Sequence, residues 1–250
     1  MRIDVYLTPG QIDELQLRDK NVVVIDVLRT GTTIATALSN GAKEVIPVES
    51  VEAAVKISAS LFGEVVLLGG ERGGKIIEGF HLGNSPSEYA ESVVKGKSVV
   101  FTTTNGALAL AKGRYAKQMV IAAFVNIARV VDFIRNLKED IFILCAGNQS
   151  ATGGFSLEDA VCAGMIIHKV EQGSEGGIEL SDSASGALIL YRSFARNISR
   201  MLEGSEHGRH LVEIGFKDDL KTCASIDSIP VLPLLSGSVI RLAQDSTTKE

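Results

Sequence analysis

The sequence predicts an α/β protein built on a mostly parallel sheet wrapped by helices, and three observations carry that expectation. Residues 22–25 form an unbroken β-branched run closed by a carboxylate, Asp26; such a run marks a strand buried on both faces, as in a parallel sheet covered by helices. Strand-turn-helix units then follow one another between residues 20 and 170, an order that generates parallel sheets. No fixed-period repeat or linker-like stretch interrupts the 250 residues. One domain over 1–250 is therefore expected, with ample length for a core.

Taken in order, residues 1–7 alternate and read as an edge strand closed by Thr8-Pro9-Gly10, and 11–17 as one or two helical turns. After the 22–25 strand, residues 33–40 read as a short helix ended by Gly41. Residues 44–48 form a strand whose Pro47 places it at an edge or makes its end irregular. Residues 50–61 have helical apolar spacing, and 64–68 a strand that runs into the turn Gly69-Gly70-Glu71-Arg72-Gly73-Gly74. Ser85-Pro86 has the cap and first-turn proline of a helix reaching Val94. Residues 98–101 form a strand ending in Thr102-Thr103-Thr104-Asn105-Gly106, before a helix over 107–112. A strand over 118–124 leads to a helix through Leu137, and a strand over 141–144 ends in Cys145-Ala146-Gly147-Asn148-Gln149-Ser150. Ser156, three residues before Asp159, has capping-box spacing for a helix to Val170. Beyond Val170 the rhythm fades. Residues 181–202 read as helix with Arg192, Arg196 and Arg200 on one solvated face, 205–218 have no clear period, and 228–241 read as a final strand pair.

Composition narrows the function. Hydrophobic residues make up 45%, charged residues 22% and aromatics 5%, without tryptophan, which fits a soluble enzyme rather than a disordered or fibrous chain. A net charge of −5 gives no basic field for a polyanionic backbone, so no nucleic-acid partner is expected. Three separated cysteines without a CxxC pair describe neither a disulfide framework nor a structural zinc site. No leader and no apolar stretch of membrane length is evident, so a cytoplasmic location with no membrane partner is expected.

In open α/β sheets, ligands bind at the carboxyl ends of strands. Acidic and basic side chains recur there: Asp26 with Arg29, then Glu71 with Arg72 and Lys75. Glu158 and Asp159 open a helix beside the Cys145 loop, where they either complement the helix dipole or ligate a metal. Several familiar motifs fail on one required residue. The run 69–75 has GxxxxGK spacing but continues with Ile76 where a magnesium-binding Ser or Thr is needed. Asp26 lacks a second aspartate two residues on, where Leu28 stands, and Cys145 lacks the arginine of a C-x5-R loop, where Ala151 stands. Cys145 then reads as a small buried residue. His207 and His210 form H-x-x-H without a matching carboxylate cluster and read as a surface loop.

What remains is a distributed constellation. Asp26, Glu71, Glu158 and Asp159 offer hard oxygen donors, Arg29, Arg72 and Lys75 offer cations, and Thr32, Thr33, Asn84, Thr103 and Asn105 offer neutral hydrogen bonds. Oxygen donors without thiol or imidazole select magnesium (Mg2+) over zinc. Magnesium beside arginines is a common means of neutralising a phosphoryl group in transfer.

In order along the chain, VIDVLRTGTTI, GERGG, EGFHLGNSP, TTTNG and CAG…GGFSLEDAVCAG resemble the 2-phosphosulfolactate phosphatase (ComB) family, over roughly residues 20 to 170. The resemblance implies a three-layer α/β/α fold with a mostly parallel or mixed sheet, magnesium dependence, and hydrolysis of 2-phospho-3-sulfolactate to 3-sulfolactate and phosphate, a step toward coenzyme M. It also implies functional residues at Asp26, Arg29, Thr32, Thr33, Glu71, Arg72, Asn84, Ser85, Thr103, Asn105, Glu158 and Asp159. The chain departs from the pattern at His81, where Asp is expected, and at Thr30-Gly31. The expected mechanism has magnesium held by some of Asp26, Glu71, Glu158 and Asp159, with Arg29 or Arg72 stabilising developing charge and other basic groups taking the sulfonate and carboxylate. The expected partner is a small phosphorylated, sulfonated anion, and a homodimer is the open expectation for assembly. A phosphatase for another small phosphorylated acid, a lyase or isomerase, and a non-hydrolytic binding protein are the alternatives.

Overall fold

The computed structural model describes residues 1–61, 65–148, 154–173 and 177–243. Five strands make one parallel block: β1 (Arg2–Tyr6), β2 (Asn21–Ile25), β7 (Gln118–Ala122), β8 (Ile141–Cys145) and the two-residue β9 (Glu179–Leu180), in spatial order β7-β2-β8-β1-β9. A second parallel block contains β3 (Glu44–Pro47), β4 (Val66–Arg72) and β6 (Ser98–Thr102), with β5 (Lys75–Ile76) folded back antiparallel on β4. Between the blocks lies a C-terminal hairpin, β10 (Pro233–Ser236) and β11 (Val239–Leu242), antiparallel to β7 on one side and β3 on the other. The sheet is therefore mixed. Arg241 on β11 holds Glu44 through its Nε at 3.0 Å, while Ser98 Oγ donates to the other Glu44 oxygen at 3.0 Å. That buried carboxylate thus joins β11, β3 and β6.

Every residue of β2 is buried, and its side chains alternate between two cores. Val23 and Ile25 pack with α5 (Ile127–Leu137), α6 (Leu157–Gln172) and α7 (Asp182–Phe194). Val22 and Val24 pack with α1 (Thr30–Ser39) and α4 (Gly106–Lys112) on the opposite face. Helices thus cover both sides of the sheet, giving three layers. The helices α2 (Val51–Ser60) and α3 (Glu91–Val94) cover the β3-β6 region, and the short helices α8 (Ile198–Gly204), α9 (Glu206–Glu213) and α10 (Lys217–Cys223) complete the first core.

The structure corrects several local expectations. β1 is not an edge strand, because β9 pairs along its outer side. β3 is an inner strand between β6 and β11, so the edge position expected from Pro47 fails, while Pro47 does stand at the strand's end, as the alternative had it. Glu71 and Arg72 belong to β4 itself, and only Gly73 and Gly74 turn the chain into β5. The helix expected after Ser85-Pro86 is a 3-10 turn over Pro86–Glu88 followed by the separate α3. Residues 205–218 contain α9 and the start of α10. Glu64, Gln149, Ser150 and Ala151 lie outside the described residues. Among the described residues, no helix is long and apolar enough to cross a membrane.

Candidate active site

The carboxyl ends of the two parallel blocks meet through the loops that follow β2 and β6: Thr30 Oγ1 and Thr103 Oγ1 lie 3.2 Å apart. Asp26 sits at this junction, buried, with Oδ1 accepting the Thr30 N–H at 3.1 Å and its carbonyl accepting Gly31 N–H at 2.7 Å. Close packing requires glycine here. A Cβ on Gly106 would stand 2.5 Å from Asp26 Oδ2 and 2.5 Å from Thr30 Oγ1. Burial pushes the Asp26 carboxyl from its ordinary 3.8 up to about 6, against the Thr30 hydrogen bonds and the His207 charge, with Glu71 adding to the rise.

Asp159 is buried beside it. Its oxygens accept Val27 N–H at 2.9 Å and Gly147 N–H at 3.2 Å, which fixes the loops after β2 and β8. The expected capping box is therefore absent: Ser156 makes no side-chain cap, and the residue meant to answer it serves other loops. Burial, then the charges of Asp26 and Glu158, push the Asp159 carboxyl well above the usual range. Glu158 is 2% exposed, and its Oε1 lies 3.4 Å from Nδ1 of His207. Burial pulls the His207 imidazolium down, but the Glu158 hydrogen bond and the charges of Glu158 and Asp26 outweigh it, leaving the ring above its ordinary value. Glu71 is tied differently: Oε2 accepts Gly74 N–H at 2.7 Å and Thr104 Oγ1 at 3.2 Å, while Oε1 accepts Thr104 N–H at 2.7 Å.

Arg29 points away from this acid group. Its guanidinium donates to Asp219 Oδ2 at 2.8 Å and to the Gly74 carbonyl at 2.7 Å, and stacks 4.3 Å from the Phe216 ring centroid. Ser85 Oγ donates to the other Asp219 oxygen at 2.7 Å. Thr32 Oγ1 donates to the Val27 carbonyl and Thr33 Oγ1 to the Asn84 carbonyl, so both hydroxyls brace the turn after β2. Arg72 donates to the Glu71 carbonyl and to Thr102 Oγ1, and Lys75 lies exposed on β5. Cys145 is buried, with its thiol pushed well up by burial and then by Asp159; it is a core residue.

A cleft of about 340 Å³ opens over the junction, lined by Glu71, the Gly73-Gly74 turn, Thr104, Asn105, His207 and His210 among others. His207 and His210 stand on α9, not on a loop, three residues apart and hence on one helical face. They and Asp219 were missed as site residues from sequence; the H-x-x-H spacing was the available signal for the pair, and nothing local marked Asp219. Among the described residues, no group of three or more His, Cys, Asp or Glu side chains converges as a ready-made metal cage. The donor set still fits magnesium, which keeps waters and takes one or two carboxylates with substrate phosphate. Burial is the first cause of the upward shifts of Asp26 and Asp159, and neighbouring carboxylates add to both.

Buried acids at the carboxyl ends of strands, beside a small cleft lined by Glu71 and by the histidines of α9, fit an α/β enzyme acting on a small ligand. Comparison with known proteins specifies which: the family model of 2-phosphosulpholactate phosphatase matches residues 6–238, and the chain belongs to that family. A relative in Caldanaerobacter subterraneus subsp. tengcongensis, named a probable 2-phosphosulfolactate phosphatase, is 39% identical over 98% of this chain and 100% of its own length. Relatives of the same name in Symbiobacterium thermophilum and Thermotoga maritima are 40% and 37% identical, over 91% and 97% of this chain and 96% and 99% of theirs. The family expected from the sequence motifs is thus the family found.

Proposed function

We propose that the chain is a magnesium-dependent phosphatase that hydrolyses 2-phospho-3-sulfolactate to 3-sulfolactate and phosphate. The observation that carries the reading is that Asp26, a buried and incompletely compensated carboxylate, lies close enough to the Glu158-His207 dyad for the Asp26 and His207 charges to act on each other, while His207 lines the cleft. Asp26 and Glu158 would hold magnesium, which, when bound, neutralises phosphoryl charge. Asp26 orients the nucleophile at the floor. Glu158 holds Nδ1 of His207 and so directs Nε2 toward the leaving oxygen. As the phosphorus–oxygen bond breaks, water would add its hydroxyl to phosphorus and pass its other proton to the Asp26 carboxylate, while His207 Nε2 would give its proton to the departing sulfolactate oxygen; Asp26 then loses and His207 regains one proton to close the cycle. Asp159 and Glu71 hold the surrounding loops through their backbone hydrogen bonds.

The test is inorganic phosphate release from 2-phosphosulfolactate and from 2-phospholactate, each with magnesium and with a chelator. Magnesium-dependent release that favours the sulfonated compound is expected. Substrate consumption without phosphate would point to a lyase or isomerase and overturn the reading. Binding without consumption would leave a phosphorylated-acid binding protein.

A further inference from the structure

The cleft sets a problem for the substrate just proposed. Phosphosulfolactate carries phosphate, carboxylate and sulfonate, yet no Arg or Lys is among the described residues lining the cleft. Glu71 and Glu206 add negative charge to its walls, and the side chains there able to carry a proton to an anion are His207 and His210. Arg29 is closed into the Asp219, Gly74 and Phe216 network. One end of the cleft, at His207, is committed to the reacting phosphoryl group through Glu158 and Asp26. The other histidine pairs with no acid among the described residues: His210 Nε2 lies 3.3 Å from the Gly73 carbonyl, at the turn between β4 and β5.

We infer that His210 is the group that recognises the sulfonate, and so determines preference for a sulfonated over an unsulfonated phospho-acid. This rests on the phosphatase reading for the placement of the phosphoryl group. Residues three apart on a helix have Cβ atoms roughly 5–6 Å apart, a span suited to two substituents of a three-carbon acid. The carboxylate is attached to the carbon that bears the phosphate ester, whereas the sulfonate is attached one carbon farther away. With the phosphate at His207, the carboxylate stays near the floor and the sulfonate reaches His210. With Nε2–H donating to the Gly73 carbonyl at 3.3 Å, which fixes where the ring stands, the second N–H of the imidazolium, at Nδ1, is the donor offered to a sulfonate oxygen. His210 is exposed, so the subsite is open to an incoming ligand.

The experiment measures binding by calorimetry and steady-state turnover for the wild type, His210→Gln and His210→Ala, with 2-phosphosulfolactate, 3-sulfolactate and 2-phospholactate. Loss of one charge-assisted hydrogen bond predicts a roughly tenfold weaker affinity for both sulfonated ligands in His210→Ala, with a smaller change for phospholactate, so that the sulfonate preference falls. In turnover, KM for the sulfonated substrate rises more than kcat falls. His210→Gln, which keeps a donor, recovers part of the affinity. Equal weakening for all three ligands, unchanged sulfolactate affinity in His210→Ala, or no sulfolactate binding by the wild type would each overturn the inference. If the wild type binds the sulfonated ligands through His210 but releases no phosphate, the subsite stands and the phosphatase reading fails.

Discussion

Asp26 and Glu71 look alike along the chain: each is an acid at the end of an apolar strand with an arginine close behind it. In space they are opposites. Glu71 accepts two backbone N–H groups and one hydroxyl, which clamp the β4–β5 turn to the loop after β6. Asp26 is equally buried but receives less compensation, and its carboxyl is pushed up to about 6. A carboxylate surrounded by donors is a structural clamp, while one that stays under-compensated retains affinity for a cation or a proton. Their arginines divide the same way. Arg29 is a buried pin to Asp219, and Arg72 is an exposed neighbour of Thr102.

The largest effect that would sharpen this contrast is Asp26→Asn. Turnover should fall by about 10³-fold or more, as for loss of a group that orients the nucleophile. The metal-free protein should become more stable at the same time. The sign follows from the raised folded value: protonated Asp26 favours the fold, and that contribution is lost as pH rises from 3.8 to about 6. Above pH 6 the charged form costs about 3 kcal/mol, and Asn removes the cost. Urea melts at pH 4 and pH 7.5 measure it. A variant that is inactive and no more stable at pH 7.5 would break the account of Asp26 as an under-compensated acid.

Asp219→Ala tests the arginines. It strands the Arg29 guanidinium in the interior, which typically costs about 3–5 kcal/mol, whereas Arg72→Ala at the exposed position should cost less than about 1 kcal/mol. Equal losses in denaturant melts would show that the two arginines are not divided as described.

A smaller effect is expected from Gly106→Ala. The added Cβ stands 2.5 Å from both Asp26 Oδ2 and Thr30 Oγ1, so the carboxylate must shift, and misplacement on the order of 1 Å lowers kcat by roughly 10²-fold. Normal kcat would mean that Asp26 need not hold its place.

Much of the fold was legible because it is local. The β-branched run over 22–25 announces a strand buried on both faces, and the succession of strand, turn and helix up to β8 announces a mostly parallel sheet with acids at its strand ends, though not its division into two blocks. The C-terminal third resists the same reading. The hairpin β10–β11 reads as a strand pair, but no local signal shows that it inserts between the two blocks and makes the sheet mixed. Arg29 meets Asp219 across 190 positions, and Glu158 meets His207 across a break in the helical rhythm. Such partners are chosen by packing of the short helices α8 to α10 against the core, which spacing does not encode.

Glu71→Gln is the closest test of the comparison, because it leaves the shape and removes the charge. One side-chain oxygen can still accept from Thr104 or from Gly74, but the new amide must face the remaining backbone N–H, donor against donor. A buried donor left without an acceptor costs about 1–3 kcal/mol, so the variant should be destabilised by that amount, the reverse of Asp26→Asn. On the proposed division of roles, turnover under conditions where the variant is folded should fall far less than in Asp26→Asn, because Glu71 is given the loops rather than phosphorus. Opposite signs in stability and unequal losses in rate would separate clamp from reactive acid. If Glu71→Gln loses turnover as completely as Asp26→Asn while remaining folded, Glu71 belongs with the metal ligands, and three hydrogen bonds on a carboxylate do not exclude it from the chemistry.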